Sequence, residues 1–182
     1  MRTLRHSIVI STDASNRGAG ILLENVDWAY VDWEIDTPQV YREHINIKES
    51  LAAIIAILRW APLLQNRNVI ILTDNVFTKS VLTRNVCRSH SLMPFLRQIF
   101  WLQNLYDFDI TCHHIPGALN VYSDTLSRLR QRGHFMYWCS LLTNGRPITP
   151  TLFTSYALHH LSTKCASFFV SQFPRLIRWY HT

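Results

Sequence analysis

Two apolar segments of this chain end in the same way. Val69-Ile70-Ile71-Leu72-Thr73 runs into Asp74, and Ile8-Val9-Ile10-Ser11-Thr12 runs into Asp13. Short apolar runs of this kind read as strands buried on both faces, which need helices to cover them. An aspartate after one strand is ordinary turn chemistry. The same design repeated in one chain points to a sheet that delivers carboxylates to one edge.

The rest of the pattern supports such a sheet. Strands are predicted at Ile8–Asp13, at Ala19–Leu23 after the turn residues Asn16-Arg17-Gly18, and at Trp28–Ile35, before the break at Thr37-Pro38. From Asn46 to Ala61 the period becomes helical, with Ile47, Leu51, Ile54, Ile55 and Leu58 on one face and Pro62 closing the segment. The buried strand Val69–Thr73 follows, then helices at Val76–Thr83 and Ser91–Tyr106. A strand at Phe108–Ile115 and the loop Pro116-Gly117-Ala118-Leu119-Asn120 lead to a helix starting near Ser123. Three hairpin strands and a helical crossover to a buried strand imply an α/β fold, a mixed sheet with helices packed on it. Residues 1–130 read as one domain and 131–182 as a basic, aromatic-rich C-terminal extension.

Composition narrows the class. A chain of 182 residues, 48% hydrophobic and 16% charged, is expected to be globular. No apolar run approaches the ~20 residues that span a bilayer, and the N-terminus has too short an apolar run for a signal peptide. Cys87, Cys112, Cys139 and Cys165 stand far apart with no CxxC pair, which reads as reduced thiols in an intracellular protein. The net charge of +6 is unevenly spread. All 12 acids and 11 of the 18 basic residues lie in residues 1–124, which carry −1. Residues 125–182 carry +7 from Arg128, Arg130, Arg132, Arg146, Lys164, Arg175 and Arg178, with no acid. Such a surplus is either a solvated face or a footprint for a polyanion such as nucleic acid.

Two hairpins followed by a crossover place the fourth strand beside and parallel to the first, so Asp13 and Asp74 should emerge near one edge. Glu49 lies one turn into the crossover helix, where Asn46-Ile47-Lys48-Glu49 also resembles a capping box. Asp124 opens the last helix, where the dipole favours a carboxylate. Each acid has an ordinary explanation; the combination does not. Carboxylates gathered in one cleft repel unless a cation neutralises them, and all-oxygen ligands select Mg²⁺ or Mn²⁺ over zinc. A pair of such ions is the usual device for in-line attack on a phosphodiester.

Ser11-Thr12-Asp13-Ala14-Ser15, Ile45-Asn46-Ile47-Lys48-Glu49, Leu72-Thr73-Asp74-Asn75 and His114-Ile115-Pro116-Gly117…Asn120…Asp124…Leu126-Ser127-Arg128 together resemble the ribonuclease H domain of retroelement reverse transcriptases. The nearest look is to the DIRS-type elements, over about residues 7–130. The resemblance implies a five-stranded sheet, its second strand antiparallel to the others, with helices on both faces. It implies that Asp13, Glu49, Asp74 and Asp124 hold two Mg²⁺ ions, Asp13 bridging both. Asp124 would hold the ion carrying the attacking water, and Glu49 with Asp74 the ion at the leaving 3′-oxygen. The implied substrate is the RNA strand of an RNA–DNA hybrid. Ser15, Asn46, Asn75, Asn120 and Arg128, within the same motifs, and Asn16, next to the first of them, are the candidate nucleic-acid contacts. A reverse transcriptase domain in a parent polyprotein is the expected partner, since no Y-x-D-D motif occurs here and the chain is not expected to reverse-transcribe by itself.

The sequence also departs from that family. The loop Gly117-Ala118-Leu119-Asn120 lacks the histidine of cellular enzymes, Ser123 replaces an alanine, and Arg84 to Ser91 leaves no room for a basic protrusion. His113 and His114 read as structural. Pro150-Thr151-Leu152-Phe153-Thr154-Ser155, with Ser171 and Pro174, is similar to a segment that follows ribonuclease H in DIRS-type polyproteins, with Thr151 in place of its aspartate. His134 with Cys139 and His160 with Cys165 share a spacing that matches no common zinc module, so ordinary packing is expected. Glutamate second and aspartate last argues against a transposase core, and Asp13-Ala14-Ser15 argues against an exonuclease's Asp-x-Glu. The remaining alternative is a degenerate or domesticated, non-catalytic nucleic-acid-binding domain of the same fold.

Overall fold

In the computed structural model, residues 5–23 and 27–131 are described, together with 133, 134 and 137. The tail motif at Pro150–Ser155, Cys139, His160, Cys165 and five of the seven C-terminal basic residues lie outside them. Strands β1 (Ser7–Ala14), β2 (Gly18–Leu23) and β3 (Asp27–Asp32) are followed by helix α1 (Ile45–Trp60), strand β4 (Asn68–Thr73) and helices α2 (Val76–Arg84) and α3 (Met93–Tyr106). Strand β5 (Asp109–His114) and helix α4 (Val121–Ser127) complete the order. The sheet runs β3-β2-β1-β4-β5, with β1 parallel to β4, β4 parallel to β5, and β2 antiparallel to both β1 and β3. This is the mixed five-stranded sheet expected. Among the described residues no helix is long and apolar enough to cross a membrane, and Cys87 and Cys112 are free thiols.

The crossover explains the depth of the core. Helix α1 packs on β1 and β2 and against α2 and α3. Every residue from Lys48 to Trp60 is therefore buried, polar ones included, where one apolar face was expected. At its end Trp60 Nε1 donates to Asp27 Oδ2 at 2.6 Å, with Arg59 Nη2 3.6 Å from the same oxygen. That pair ties β3 to α1, and a carboxylate so buried requires such partners.

The opposite face of β2 and β1 carries α4, which Gly20 allows to come close. A Cβ at Gly20 would lie 2.7 Å from both Ser127 N and Leu126 Cβ, so no larger residue fits without moving helix backbone. Leu126 then packs on Leu22, with Trp28, Tyr30 and Leu129 around them.

Element ends differ from expectation where side chains bond locally. Strand β3 stops at Asp32 because its Oδ1 accepts the amides of Glu34 and Ile35, while Asp36 Oδ2 accepts the Asp32 amide. Such a turn competes with the ladder. The cap of α1 is His44, whose Nδ1 accepts the Asn46 amide, so no capping box forms on Asn46. Helix α3 starts at Met93, with Pro94 in its first turn. Helix α4 starts at Val121, and the Asp124 amide already bonds the Asn120 carbonyl.

Candidate metal centre

Asp13 is the penultimate residue of β1 and stands opposite Gly20 on β2. Asp74 follows the last residue of β4, which is parallel to β1 on its other side. Parallel neighbours end at the same edge, so both acids reach one place. Glu49 arrives from the first turns of α1, and its carboxylate accepts the backbone amide of Ala14. One carboxylate oxygen from each of Asp13, Glu49 and Asp74 lies within 4.8 Å of the others. Asp124 stands near, outside that group, and its Oδ1 accepts Arg128 Nε and Nη2, both at 2.8 Å.

Burial sets the electrostatics. Asp13 is 3% exposed and Glu49 6%. Burial, with the neighbouring charges of Asp13 and Asp74, pushes the Glu49 carboxyl up to about 9, against the single favourable amide of Ala14. Burial likewise pushes Asp13 up to about 7, and Asp74 and Asp124 add to it, opposed by Ser127 and Arg128. The Ser127 hydroxyl, with one proton, serves either Asp13 or the Asp124 carbonyl 2.9 Å away. Among the described residues, Asp13 Oδ2 and Glu49 Oε2 are buried with no hydrogen-bond partner. Two orphaned acceptors amid converging hard oxygens fit a divalent cation of the Mg²⁺ class.

A pH prediction follows from these shifts. The folded chain holds protons on Glu49 and Asp13 that the unfolded chain releases above their ordinary values of 4.5 and 3.8. Metal-free stability therefore falls as pH rises from about 4 through about 7 to about 9. A cation needs the ionised forms, so its binding near neutral pH releases between one and two protons. Titration calorimetry of Mg²⁺ in buffers of different ionisation enthalpy measures that release; equal heats in all buffers would refute it.

The candidate nucleic-acid contacts divide by exposure. Asn16 is exposed on the β1–β2 turn, its carbonyl held by Lys48 Nζ at 2.8 Å. Asn75 caps α2, accepting the Thr78 amide, and its Nδ2 donates to Asn46 Oδ1 at 3.0 Å. Asn75 follows Asp74 in the chain, and Asn46 precedes Glu49 by three residues on α1. Ser15 and Asn120 are buried instead. Ser15 Oγ donates to the Ser127 carbonyl at 2.8 Å, and Asn120 Nδ2 to the Thr12 carbonyl at 2.9 Å. With Ser123 Oγ bonded to Ser11 Oγ at 2.9 Å, they fasten α4 to β1. His114 Nε2 lies 3.0 Å from the Asp74 carbonyl and steadies the backbone there.

Sequence reasoning missed Gly20 and Lys48. Gly20 was legible only as a strand glycine, a hint of close approach. The loop before α4 also presses on the site, since a Cβ at Gly117 would lie 3.0 Å from Asp74 Oδ2. An open cavity of about 420 Å³ lies alongside, lined by Val9, Ser11, Leu72, Ile115, Leu119, Asn120 and Tyr122, and includes none of the four acids.

No protein-family model matches the chain, and no curated protein matches it. Among solved structures it is similar to LC11-RNase H1 in complex with RNA/DNA hybrid, with a TM-score of 0.50 and 18% identity over 65% of this chain and 92% of that one. The N-terminal RNase H domain of a Mycobacterium tuberculosis protein, fused to maltose binding protein, gives 0.48 and 17% over 66% and 95%. RNase H1 from the halophilic archaeon Halobacterium salinarum NRC-1 gives 0.48 and 18% over 68% and 96%. Together with the strand order and directions, the likeness to LC11-RNase H1 makes this a ribonuclease H-like fold.

Proposed function

We propose that this chain is a divalent-cation-dependent endonuclease that hydrolyses the RNA strand of RNA–DNA hybrids. The observation that carries the reading is the convergence of Asp13, Glu49 and Asp74, with two buried carboxylate oxygens left unpaired, at one edge of a ribonuclease H-like sheet. LC11-RNase H1, whose fold is similar, is solved with RNA/DNA hybrid bound, which supports the same substrate class here.

When bound, the cations supply neutralising charge and the Lewis acidity for phosphodiester hydrolysis. The chain supplies the frame that holds them. Asp13, buried on β1 and paired with Gly20 of β2, is the proposed common ligand. Glu49 and Asp74 flank it, and Asp124 on α4 completes the set. The bonded pair Asn46 and Asn75 presents amide groups beside the cluster. A 2′-hydroxyl both donates and accepts, as an amide side chain does, so this pair with Asn16 is proposed to read the RNA strand. A retroelement setting, with a reverse transcriptase domain as partner, is also proposed, on the Ile115-Pro116-Gly117 to Leu126-Ser127-Arg128 motif.

The test is cleavage of a labelled RNA–DNA hybrid in Mg²⁺, with duplex DNA and duplex RNA as controls. Cutting confined to the hybrid's RNA strand and lost in chelator is expected. One observation favours the alternative, a non-catalytic binding domain: Asp124 bonds Arg128 and stands apart from the other three acids. Hybrid bound but uncut in both Mg²⁺ and Mn²⁺ would select it.

A further inference from the structure

We propose that Arg128 is an internal counter-ion that holds Asp124 away from the metal centre and exchanges it for a nucleic-acid phosphate when a second cation arrives. The inference deepens the function proposed above and rests on it.

Three of the four acids are immobilised by the fold. Asp13 is buried inside β1, paired with Gly20 of β2, Glu49 is on a helix buried all round, and Asp74 lies under Gly117 at the end of a central strand. Asp124 differs. It lies on a helix of seven residues, and its side chain and that of Arg128 are each 40% exposed. The guanidinium sends Nε and Nη2 to the same oxygen, a full ionic engagement of Asp124. Asp13 and Asp74 also favour its charge through space, after the Asp124 bond itself, so Arg128 lies within electrostatic reach of the same acids. A helix pair at this spacing and exposure is a weak, solvent-screened contact. It is weak enough to exchange.

The exchange follows from charge. In the metal-free molecule Arg128 supplies part of the positive charge that the acids require. A divalent cation at Asp124 supplies more, and the two repel when both sit in the cleft. The displaced guanidinium is a planar fork matched to phosphate oxygens. Hybrid therefore favours the second cation by taking Arg128, and the second cation favours hybrid by releasing it, as reciprocal coupling requires.

The test uses the full chain and counts bound Mn²⁺ from the free-ion paramagnetic signal, without nucleic acid. Wild type is expected to bind one Mn²⁺ tightly and a second weakly. In Arg128→Gln the second should bind about two- to fivefold more tightly and the first nearly unchanged, while hybrid affinity in Ca²⁺ falls. Arg128→Lys keeps the charge and should restore the weak second site. An unchanged or weaker second site in a folded Arg128→Gln, with the first intact, overturns the proposal and makes the pair a helix-surface contact only. Asp13→Asn separates the two failures. If that variant binds Mn²⁺ as wild type does, the metal centre itself is wrong and the proposal falls with it.

Discussion

Asp13→Asn is expected to lower the proposed Mg²⁺-dependent hybrid cleavage by about three orders of magnitude or more, and to raise the melting temperature of the metal-free protein. The two effects have opposite sign and one cause. A metal ion contributes several kcal/mol to such a transition state, and each 1.36 kcal/mol is tenfold in rate. Without the cation, the Asp13 carboxylate is a buried charge among like charges, and an amide of the same shape removes that burden. Initial rates on labelled hybrid and melting in chelator check both halves. Wild-type cleavage in the variant would place the chemistry elsewhere, and a lowered metal-free melting point would show that Asp13 is a structural acid.

Gly20→Ala is expected to destabilise the chain by about 3 kcal/mol, lowering the melting temperature by roughly 6–12 °C. Its new methyl meets Ser127 N and Leu126 Cβ at 2.7 Å, and a helix backbone cannot turn aside as a side chain can. To relieve the contact α4 must lift from the sheet and carry Asp124 with it. Activity should therefore fall further than unfolding accounts for, at a temperature where the variant remains folded. Thermal melts and cleavage rates on one preparation separate the effects; a melting point within about 2 °C of wild type would mean that α4 accommodates the methyl.

Much of this was legible because the chain repeats one device. The runs ending at Asp13 and Asp74 are buried strands whose apolar content and terminal carboxylates can both be read without coordinates, and the crossover between them dictates their parallel pairing. Glu49 was legible only through the company it keeps. Its capping-box reading fails because His44 takes the cap and the Glu49 carboxylate is drawn to the Ala14 amide on another element. The end of β3 was misjudged for a similar reason, since the bonds from Asp32 to the two amides that follow outweigh strand propensity in Glu34 and Ile35. The pairing of Asp124 with Arg128 was overlooked although its spacing of four residues stands in the sequence. A motif that offers a catalytic role for an acid does not say which neighbour neutralises it while it waits.

The arrangement of β1 and β4 also governs when the centre comes into being. Asp13 and Asp74 meet only after the chain has traversed three strands and α1 and returned to pair β4 against β1. Distant pairings of that kind are late events in folding, because the intervening loop must be closed before they are rewarded. A nascent chain that has emerged only as far as α1 owns two of the acids and no pocket. A cation held there would therefore act on the finished molecule, as a brake on its opening, and leave the speed of its assembly almost untouched.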